Sequence, residues 1–221
     1  MVFVAHTAVV DHGLAAVSSF AHAERQQEEV HLTRWLQEAG FLLWETPRET
    51  TFEGEGDALF DADGSRLWAG YGPRTCRYSH GHLAAAWHTK VTSLHLIDPR
   101  FYHLDMCFAP LSGGYVLYYP EAFDAASLQE IEQAYPLSKR IPVSEAEATQ
   151  FACNSINIGP HILMHPAGTN LRRRLEDRGF RVTEIALTEF LRSGGSAKSM
   201  ALRLSDLGVT HGTAQQPSGE V

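Results

Sequence analysis

Trp35-Leu-Gln-Glu-Ala-Gly-Phe41 returns in altered form as Leu171-Arg-Arg-Arg-Leu-Glu-Asp-Arg-Gly-Phe180. In each copy a helical spacing of apolar residues ends at Gly-Phe, and a strand pattern follows. Glycine suits that point because it adopts the left-handed conformation that ends a helix at little cost. Two interpretations are open: ordinary alternation of helix and strand, or a repeat architecture in which ββαβ-like units face a common centre.

Helix-like and strand-like segments alternate to about Leu207, which predicts a single α/β (α+β) domain over residues 1–207. No Pro/Ser-rich linker divides this domain. Residues 208–221, and above all 211–221, are polar and glycine-rich, which predicts a flexible tail. We predict helices over residues 24–39, 82–88, 128–134 and 171–178, and strands over 2–4, 41–44, 59–60, 67–69, 91–97, 114–119, 156–164 and 181–187.

The composition is that of an ordinary globular protein: 221 residues, 44% hydrophobic and 10% aromatic. A net charge of −8 without a basic tract disfavours nucleic acid and anionic membranes as partners. Cys76, Cys107 and Cys153 form neither a disulfide framework nor a CxxC pair. The first residues lack the features of a signal peptide, and no apolar run approaches membrane-spanning length. We therefore expect a cytoplasmic protein.

The first of three polar clusters is Phe52-Glu-Gly-Glu-Gly-Asp-Ala-Leu-Phe60, which places Glu53, Glu55 and Asp57 on one glycine-rich loop. Three like charges in proximity are costly unless they meet water, a metal or a cationic ligand. A solvated turn and a binding loop are both compatible with this pattern.

The second cluster is Asp98-Pro-Arg-Phe-Tyr-His-Leu-Asp-Met-Cys-Phe108. On a strand, His103 and Asp105 would point to the same face. Such a pair can supply a general base together with a carboxylate for a cationic group. A structural histidine is the competing interpretation.

The third cluster is Glu189-Phe-Leu-Arg-Ser-Gly-Gly-Ser-Ala-Lys-Ser-Met-Ala-Leu-Arg-Leu204. A glycine pair followed by an apolar alternation predicts a loop that presents Ser199 at the mouth of a strand. The GxSxG motif of α/β-hydrolases is absent. The twelve histidines contain no HExxH motif or comparable ligand spacing, so we predict no metal and no cofactor.

Taken in order, these clusters resemble the amidinotransferase and guanidino-group hydrolase superfamily. The motifs look most like those of bacterial arginine dihydrolases and dimethylarginine dimethylaminohydrolases. The residues that carry the resemblance span nearly the whole chain to about residue 207. They are FEGEGDALF (52–60), GYGPRT (70–75), DPRFYHLDMCFAPL (98–111), FACNSINIG (151–159) and EFLRSGGSAKSMALRL (189–204).

The resemblance implies a pentein fold, which is an α/β propeller of five ββαβ blades around a central active site. Relatives usually carry roughly another half-domain before the point where this sequence starts. The resemblance therefore leaves room for a truncated first blade. Pentein-like chains often pair, so a homo-oligomer is an open possibility.

The resemblance also implies a covalent mechanism on a small guanidino substrate. A cysteine thiolate attacks the guanidinium carbon, a histidine protonates the leaving amine, and water hydrolyses the intermediate. Matched by position, His103 looks like the general acid/base, Glu53 its orienting carboxylate and Asp105 the guanidinium ligand. Arg25 and Arg74 look like the clamp for a substrate carboxylate. Asp57 would stabilise its glycine loop.

Two positions depart from the family pattern. Ser199 stands where relatives have the cysteine nucleophile, and His6 stands where they have Asn or Asp against the guanidinium. A serine hydroxyl is far less acidic than a thiol, so we predict substrate binding with slow turnover. Engineered trapping of substrate, natural loss of catalysis and a genuine serine enzyme are all compatible with Ser199. If His6 lines the site, arginine affinity should rise as its imidazole loses its proton.

The sequence therefore predicts a cofactor-independent hydrolase of the guanidinium group of arginine or a related compound, impaired at its nucleophile. The first alternative is a non-catalytic protein that binds a guanidino compound or an amino acid. An amidinotransferase, or a structural partner of an active paralogue, would use the same framework.

Overall fold

The structure, a computed structural model, describes residues 2–47 and 49–204. The tail predicted for residues 208–221 lies outside the described residues. Within them, no helix is long and apolar enough to cross a membrane.

Four three-stranded sheets share one topology. In each, two antiparallel strands form a hairpin, a helix follows, and the third strand pairs parallel to the second. The repeat architecture is therefore confirmed. The first unit has β1 (Ala8–Asp11), β2 (Leu14–Val17), α1 (Ala23–Glu38) and β3 (Leu42–Glu45); the second follows the short helix α2 (Gly54–Asp57) and has β4 (Ala58–Phe60), β5 (Leu67–Tyr71), α3 (Ser79–Trp87) and β6 (Val91–His95). The third has β7 (Phe108–Leu111), β8 (Tyr115–Tyr118), α4 (Ala125–Ala134) and β9 (Arg140–Pro142); after α5 (Glu145–Ala148) the fourth has β10 (Ile156–Ile158), β11 (His161–Met164), α6 (Thr169–Glu176) and β12 (Arg181–Glu184), followed by α7 (Thr188–Arg192).

The two Gly-Phe stretches end their helices in the same way. Gly40 has φ +91° with open space around it, so its conformation rather than its size requires glycine. The Phe41 amide donates to the Leu36 carbonyl at 3.1 Å, and both side chains are buried together, which is a Schellman motif with its hydrophobic contact. The second copy has Gly179 at φ +88° and a 3.2 Å bond from Phe180 to Leu175.

A large aromatic cluster joins the second and third units. Trp68 is completely buried, and its ring lies 5.1 Å from that of Phe108 and 5.6 Å from that of Tyr135. The Trp68 indole N–H donates to Asp61 at 2.6 Å, so burial of the ring leaves no donor unsatisfied. This packing fixes the two units, and hence the turns in front of them, relative to each other.

A short turn precedes the first strand of every described unit. The predicted site residues lie in or next to these turns, except for Arg25 on α1 and Arg74 between β5 and α3. The same kind of turn occurs a fifth time around Ser199, where the resemblance implies a fifth unit. The turns are Val4–Thr7, Gly54–Asp57, Leu104–Met106, residues 151–154 and Lys198–Met200.

Two local predictions are wrong because turns replace expected strands. Residues 2–4 do not form a strand; the first strand begins at Ala8, after the 3-10 turn of Val4–Thr7. Asp105 lies on the 3-10 turn of Leu104–Met106 rather than on a strand. The alternation in residues 201–204 finds no partner strand among the described residues.

Candidate active site

The Glu53 and His103 side chains form the most buried charged pair of the cluster. Glu53 Oε2 lies 2.6 Å from His103 Nε2, and both residues are almost completely buried. Burial works to lower the pKa of His103, but the carboxylates of Asp57, Glu53 and Asp105 raise it above its ordinary value. Burial likewise works to raise the pKa of Glu53, and the His103 hydrogen bond and charge, with Arg74, outweigh it and lower the pKa to about 2. The pair can therefore hold and release a proton at the His103 ring.

Asp57 connects the α2 turn to the turn that carries His103. Its Oδ2 accepts from Thr75 Oγ1 at 2.6 Å, and its Oδ1 accepts from the Leu104 amide at 3.0 Å. Burial raises its pKa to about 7, against the lowering effect of His103. Both oxygens are used by protein groups, which agrees with the interpretation that Asp57 stabilises its loop.

Glu55, the third carboxylate of this loop, pairs with a residue far away in sequence. Its Oε2 lies 2.5 Å from Lys198 Nζ and accepts from the Arg203 amide at 3.2 Å. Burial raises the pKa of Glu55, and Lys198 opposes the rise. The contact ties the α2 turn to the Ser199 turn. The carboxylates of residues 53–57 are thus buried and paired, and the solvated-turn interpretation is wrong.

Ser199 is 1% exposed and is held by Asn154, a residue that sequence reasoning did not assign to the site. Asn154 Nδ2 donates to Ser199 Oγ at 2.9 Å. Asn154 Oδ1 accepts from the amides of Ser196 at 2.9 Å and Ser199 at 3.2 Å. One side chain therefore shapes the turn and orients the hydroxyl. The available signal was a polar residue inside the FACNSINIG motif.

Asp105 lies between Ser199 and His6. Its Oδ2 is 3.5 Å from Ser199 Oγ and 3.8 Å from His6 Nε2. Among the described residues, neither Asp105 Oδ1 nor His6 Nε2 has a hydrogen-bond partner, although both atoms are buried. A buried polar atom without a partner costs about 1–3 kcal/mol. These two atoms mark the point where a polar ligand group would restore lost hydrogen bonds.

His6 lies beside His103 and Asp105 in the cluster. Its ring centre is 4.2 Å from that of His103, and the residue is 2% exposed. Burial, and then the positive charge of His103, lower the pKa of His6 to about 4. His6 is therefore neutral over the ordinary imidazole range, and any change of affinity caused by its protonation is expected near pH 4.

Arg25 and Arg74 line a cavity of about 130 Å³ that ends at His6 and His103. Arg25 Nη2 contacts Glu28 at 2.9 Å, and Arg74 Nη1 contacts Glu53 at 3.3 Å. The Arg74 guanidinium also lies 4.6 Å from the centre of the ring of a tyrosine. The remaining lining residues are Val2, Phe3, Glu28, Tyr102, Ser193 and Gly194. The two predicted clamp residues are thus at one opening, each already beside a carboxylate.

A larger cavity, of about 540 Å³, lies on the other side of Asp105. It is lined by Glu55, Lys198 and Cys153, and by the apolar strand residues around them. The arginines of the smaller cavity do not line it. Asp105 therefore forms part of a wall between two cavities.

His6, His103 and Asp105 each offer a ligand atom, and these atoms lie within 4.8 Å of one another. The protonation of the two histidine rings does not suit a metal ion, which binds a ring nitrogen that carries no proton. Arg25 Nη1 lies 2.8 Å from His6 Nδ1, and because arginine only donates, the neutral ring carries its proton on Nε2. Neighbouring carboxylates raise the pKa of His103, which favours the protonated form of that ring as well. The arrangement presents hydrogen-bond donors rather than free ligand electron pairs.

Comparison with known proteins finds similar chains over nearly the whole described sequence. Residues 2–205 match the family described as N,N dimethylarginine dimethylhydrolase, eukaryotic. The bifunctional arginine dihydrolase/ornithine cyclodeaminase ArgZ of Synechocystis sp. is 50% identical over 93% of this chain, which spans 29% of that relative's length. The N(G),N(G)-dimethylarginine dimethylaminohydrolase of Mycobacterium tuberculosis is 34% identical over 92% of this chain and 66% of its own length.

Solved structures give the same result. The N-terminal domain of ArgZ, as a cysteine-to-serine mutant bound to substrate, has a TM-score of 0.92 and 50% identity, over 93% of this chain and 76% of that one. A dimethylarginine dimethylaminohydrolase structure at 19% identity has a TM-score of 0.76, over 91% of this chain and 76% of that one, and shares the fold. The predicted superfamily and pentein-type fold are confirmed, and the chain belongs to the dimethylarginine dimethylhydrolase family.

Proposed function

We propose that this chain binds the guanidinium end of arginine or a related compound and hydrolyses it slowly through Ser199. The observation that carries the proposal is the position of Asp105. One of its oxygens lies 3.5 Å from Ser199 Oγ, and the other is buried without a partner among the described residues. A guanidinium N–H would satisfy that oxygen and bring the guanidinium carbon to the hydroxyl.

The remaining residues have roles that follow from their contacts. Ser199 Oγ forms the bond to the guanidinium carbon as its proton passes to Asp105 Oδ2, the C–N bond of the leaving amine breaks, and His103 gives that amine its proton. Water then displaces Ser199 Oγ, which takes its proton back from Asp105, while one water proton returns to His103 and the other leaves with the released amine as its ammonium form. Glu53 keeps His103 charged and oriented through the 2.6 Å contact. Arg25 and Arg74 would bind the ligand carboxylate at the opening of the cavity.

We expect slow turnover because the attacking group, the Ser199 hydroxyl, ionises far less readily than a cysteine thiol. A thiol ionises near pH 8.5, whereas a serine hydroxyl does not ionise in the physiological range. The groups next to Ser199 Oγ are the Asn154 amide and the Asp105 carboxylate. Substrate binding without a cysteine thiol has a parallel in the cysteine-to-serine ArgZ mutant that is bound to substrate.

A binding protein without catalysis is the second candidate, and the Asn154 contacts favour it. Asn154 already uses the Ser199 hydroxyl as a hydrogen-bond partner, as it would in a purely structural role. This chain spans 29% of the length of ArgZ. The proposed activity therefore concerns the part of the protein that this sequence covers. A cytoplasmic setting is part of the proposal, and the three free cysteines support it.

The test is Ser199→Cys, assayed for release of ammonia, citrulline and ornithine from arginine. We expect a gain in turnover of at least about 100-fold, because the thiolate replaces a neutral hydroxyl at the attacking position. Ser199→Ala is the matched control and should bind arginine without turnover. Arginine binding with no gain in Ser199→Cys would favour the binding protein, and no binding in any form would overturn both candidates.

A further inference from the structure

At neutral pH, the contact with Arg25 determines which nitrogen of the His6 ring carries the proton. Arg25 Nη1 lies 2.8 Å from His6 Nδ1, and a guanidinium has donors and no acceptor. Nδ1 must therefore accept this bond, so the proton of the neutral ring is on Nε2. His6 Nε2–H is thus a buried donor at the end of the small cavity, with no acceptor within hydrogen-bond distance among the described residues.

Next to this donor lies an acceptor that also lacks a partner. Asp105 Oδ2 is 3.8 Å from His6 Nε2, which is too long for a hydrogen bond, and Asp105 Oδ1 has no partner in the described part of the chain. His6 lines the small cavity and Asp105 lines the large one, so a donor and a carboxylate lie side by side where the two cavities approach each other. A guanidinium can satisfy the carboxylate, but its N–H groups would face the His6 N–H. A group with an oxygen and an NH2 on one carbon can satisfy both.

The charges around this point also favour a neutral ligand group over a cationic one. Arg25 pairs with Glu28, while Arg74 and His103 share Glu53. His103 thus leaves a positive charge that the nearby Asp105 balances.

Two further groups add little negative charge. Asp57 carries only part of a charge at neutral pH, because burial raises its pKa to about 7. Ser199 remains neutral. The side chains around His6 and Asp105 therefore have little surplus negative charge with which to stabilise a cationic ligand group.

We propose that the point between His6 and Asp105, where the small and the large cavity approach each other, binds a ureido group in preference to a guanidinium group. The ureido oxygen accepts from His6 Nε2, and the ureido NH2 donates to Asp105. The inference rests on the site assigned above and specifies its ligand class: amino acids with a neutral ureido side chain. Such a group is what the first hydrolysis of a guanidinium yields, so the chain would retain its own product.

The test is calorimetric titration of the unaltered chain at pH 7 with citrulline and with arginine, which differ at the end group. We expect citrulline to bind at least about tenfold more tightly, because guanidinium leaves a buried donor facing another donor. Tighter or equal binding of arginine would overturn the ureido preference and leave the proposed site standing. Failure of both ligands to bind would overturn the proposed site and the preference together.

A matched variant locates the effect. In His6→Asn the amide can turn its oxygen toward a guanidinium, so the ratio of the two affinities should move toward arginine by about tenfold. An unchanged ratio in a folded His6→Asn protein would overturn the role of His6. If this variant does not fold, the comparison in the unaltered chain and the nitrogen spectrum of His6, which distinguishes the Nε2–H from the Nδ1–H form, decide the question. An Nδ1–H form would overturn the proposal.

Discussion

Two sides of the active-site cluster differ in how their polar atoms are satisfied. On one side, Glu53, Asp57 and His103 contact protein groups at 2.6–3.1 Å. On the other side, His6 Nε2 and Asp105 Oδ1 are equally buried and have no partner in the described residues. Both sides are built from turns at equivalent positions of the repeat, so the difference does not come from the backbone framework.

This difference distinguishes residues that position His103 from residues that bind the ligand. A buried polar atom without a partner costs about 1–3 kcal/mol, and folded proteins contain few of them. The paired side holds His103 in place and charged through protein contacts alone. The unpaired side is completed only by a ligand. Substitutions on the first side should therefore lower stability, and substitutions on the second side should lower affinity.

The largest effect is expected for Glu53→Gln. The folded-state pKa of Glu53, about 2, lies below its ordinary value of 4.5. The carboxylate therefore stabilises the fold above pH 4.5, and this contribution is lost as the pH falls toward 2. A shift of this size corresponds to on the order of 3 kcal/mol. Urea unfolding at pH 7 and at pH 3 should show the variant less stable at pH 7, with the gap smaller at pH 3. Equal stability at pH 7 would contradict the assignment of Glu53 to the paired side.

Asp105→Asn should show the opposite pattern. Affinity for the ligand should fall about 10- to 100-fold, because a hydrogen bond to a charged group contributes about 1.5–3 kcal/mol. Stability should fall less than in Glu53→Gln, because the variant removes a buried carboxylate with an unpartnered oxygen, although it also removes a charge that balances His103. Asp98→Asn is the control, because Asp98 lies on the same segment and pairs with Arg100 away from the cavity. Unchanged affinity in Asp105→Asn, measured by calorimetry, would place the ligand elsewhere.

Gly56→Ala disturbs both sides at once. A Cβ at Gly56 would lie 2.8 Å from His6 Cδ2 and 3.3 Å from His103 Cγ, so both rings would have to move. We expect a loss of about 1–3 kcal/mol in the free energy of unfolding, together with weaker ligand binding. Gly81→Ala is the matched control: a Cβ there meets nothing within 4 Å, and in helix α3 it should add up to about 1 kcal/mol. Gly56→Ala with unaltered stability would show that the close approach is unimportant.

The Gly-Phe helix ends were predictable from sequence because they depend on local residues, whereas the residues alone left the repeat open and the resemblance implied it. Gly40 and Gly179 need only their own conformation and a phenylalanine that follows. The predicted site residues were placed by resemblance, and the structure brings His6, His103, Asp105 and Ser199 into one cluster.

The contacts within that cluster were not predictable from sequence. Asn154 and Ser199 are 45 residues apart, and Glu55 and Lys198 are 143 residues apart. No local pattern encodes such pairs. The same limit explains the wrong interpretation of the carboxylate loop as a solvated turn. Its burial depends on Lys198, which is 143 residues from Glu55, and on Thr75, which lies in the loop after β5. Strand alternation also failed near Asp105, where a tight turn carries the residue instead.

The most direct test of the central claim, that a ligand end group binds between His6 and Asp105, is a histidine nitrogen spectrum at pH 7 without ligand and with saturating arginine or citrulline. His80 is the internal control, because it is also buried with a pKa of about 4, and its ring nitrogens lie 2.7 Å from Ser93 Oγ and 3.2 Å from the Gly70 carbonyl. We predict that the His6 and His103 signals move while the His80 signals stay in place. Binding that leaves the His6 signal unmoved would contradict the claim.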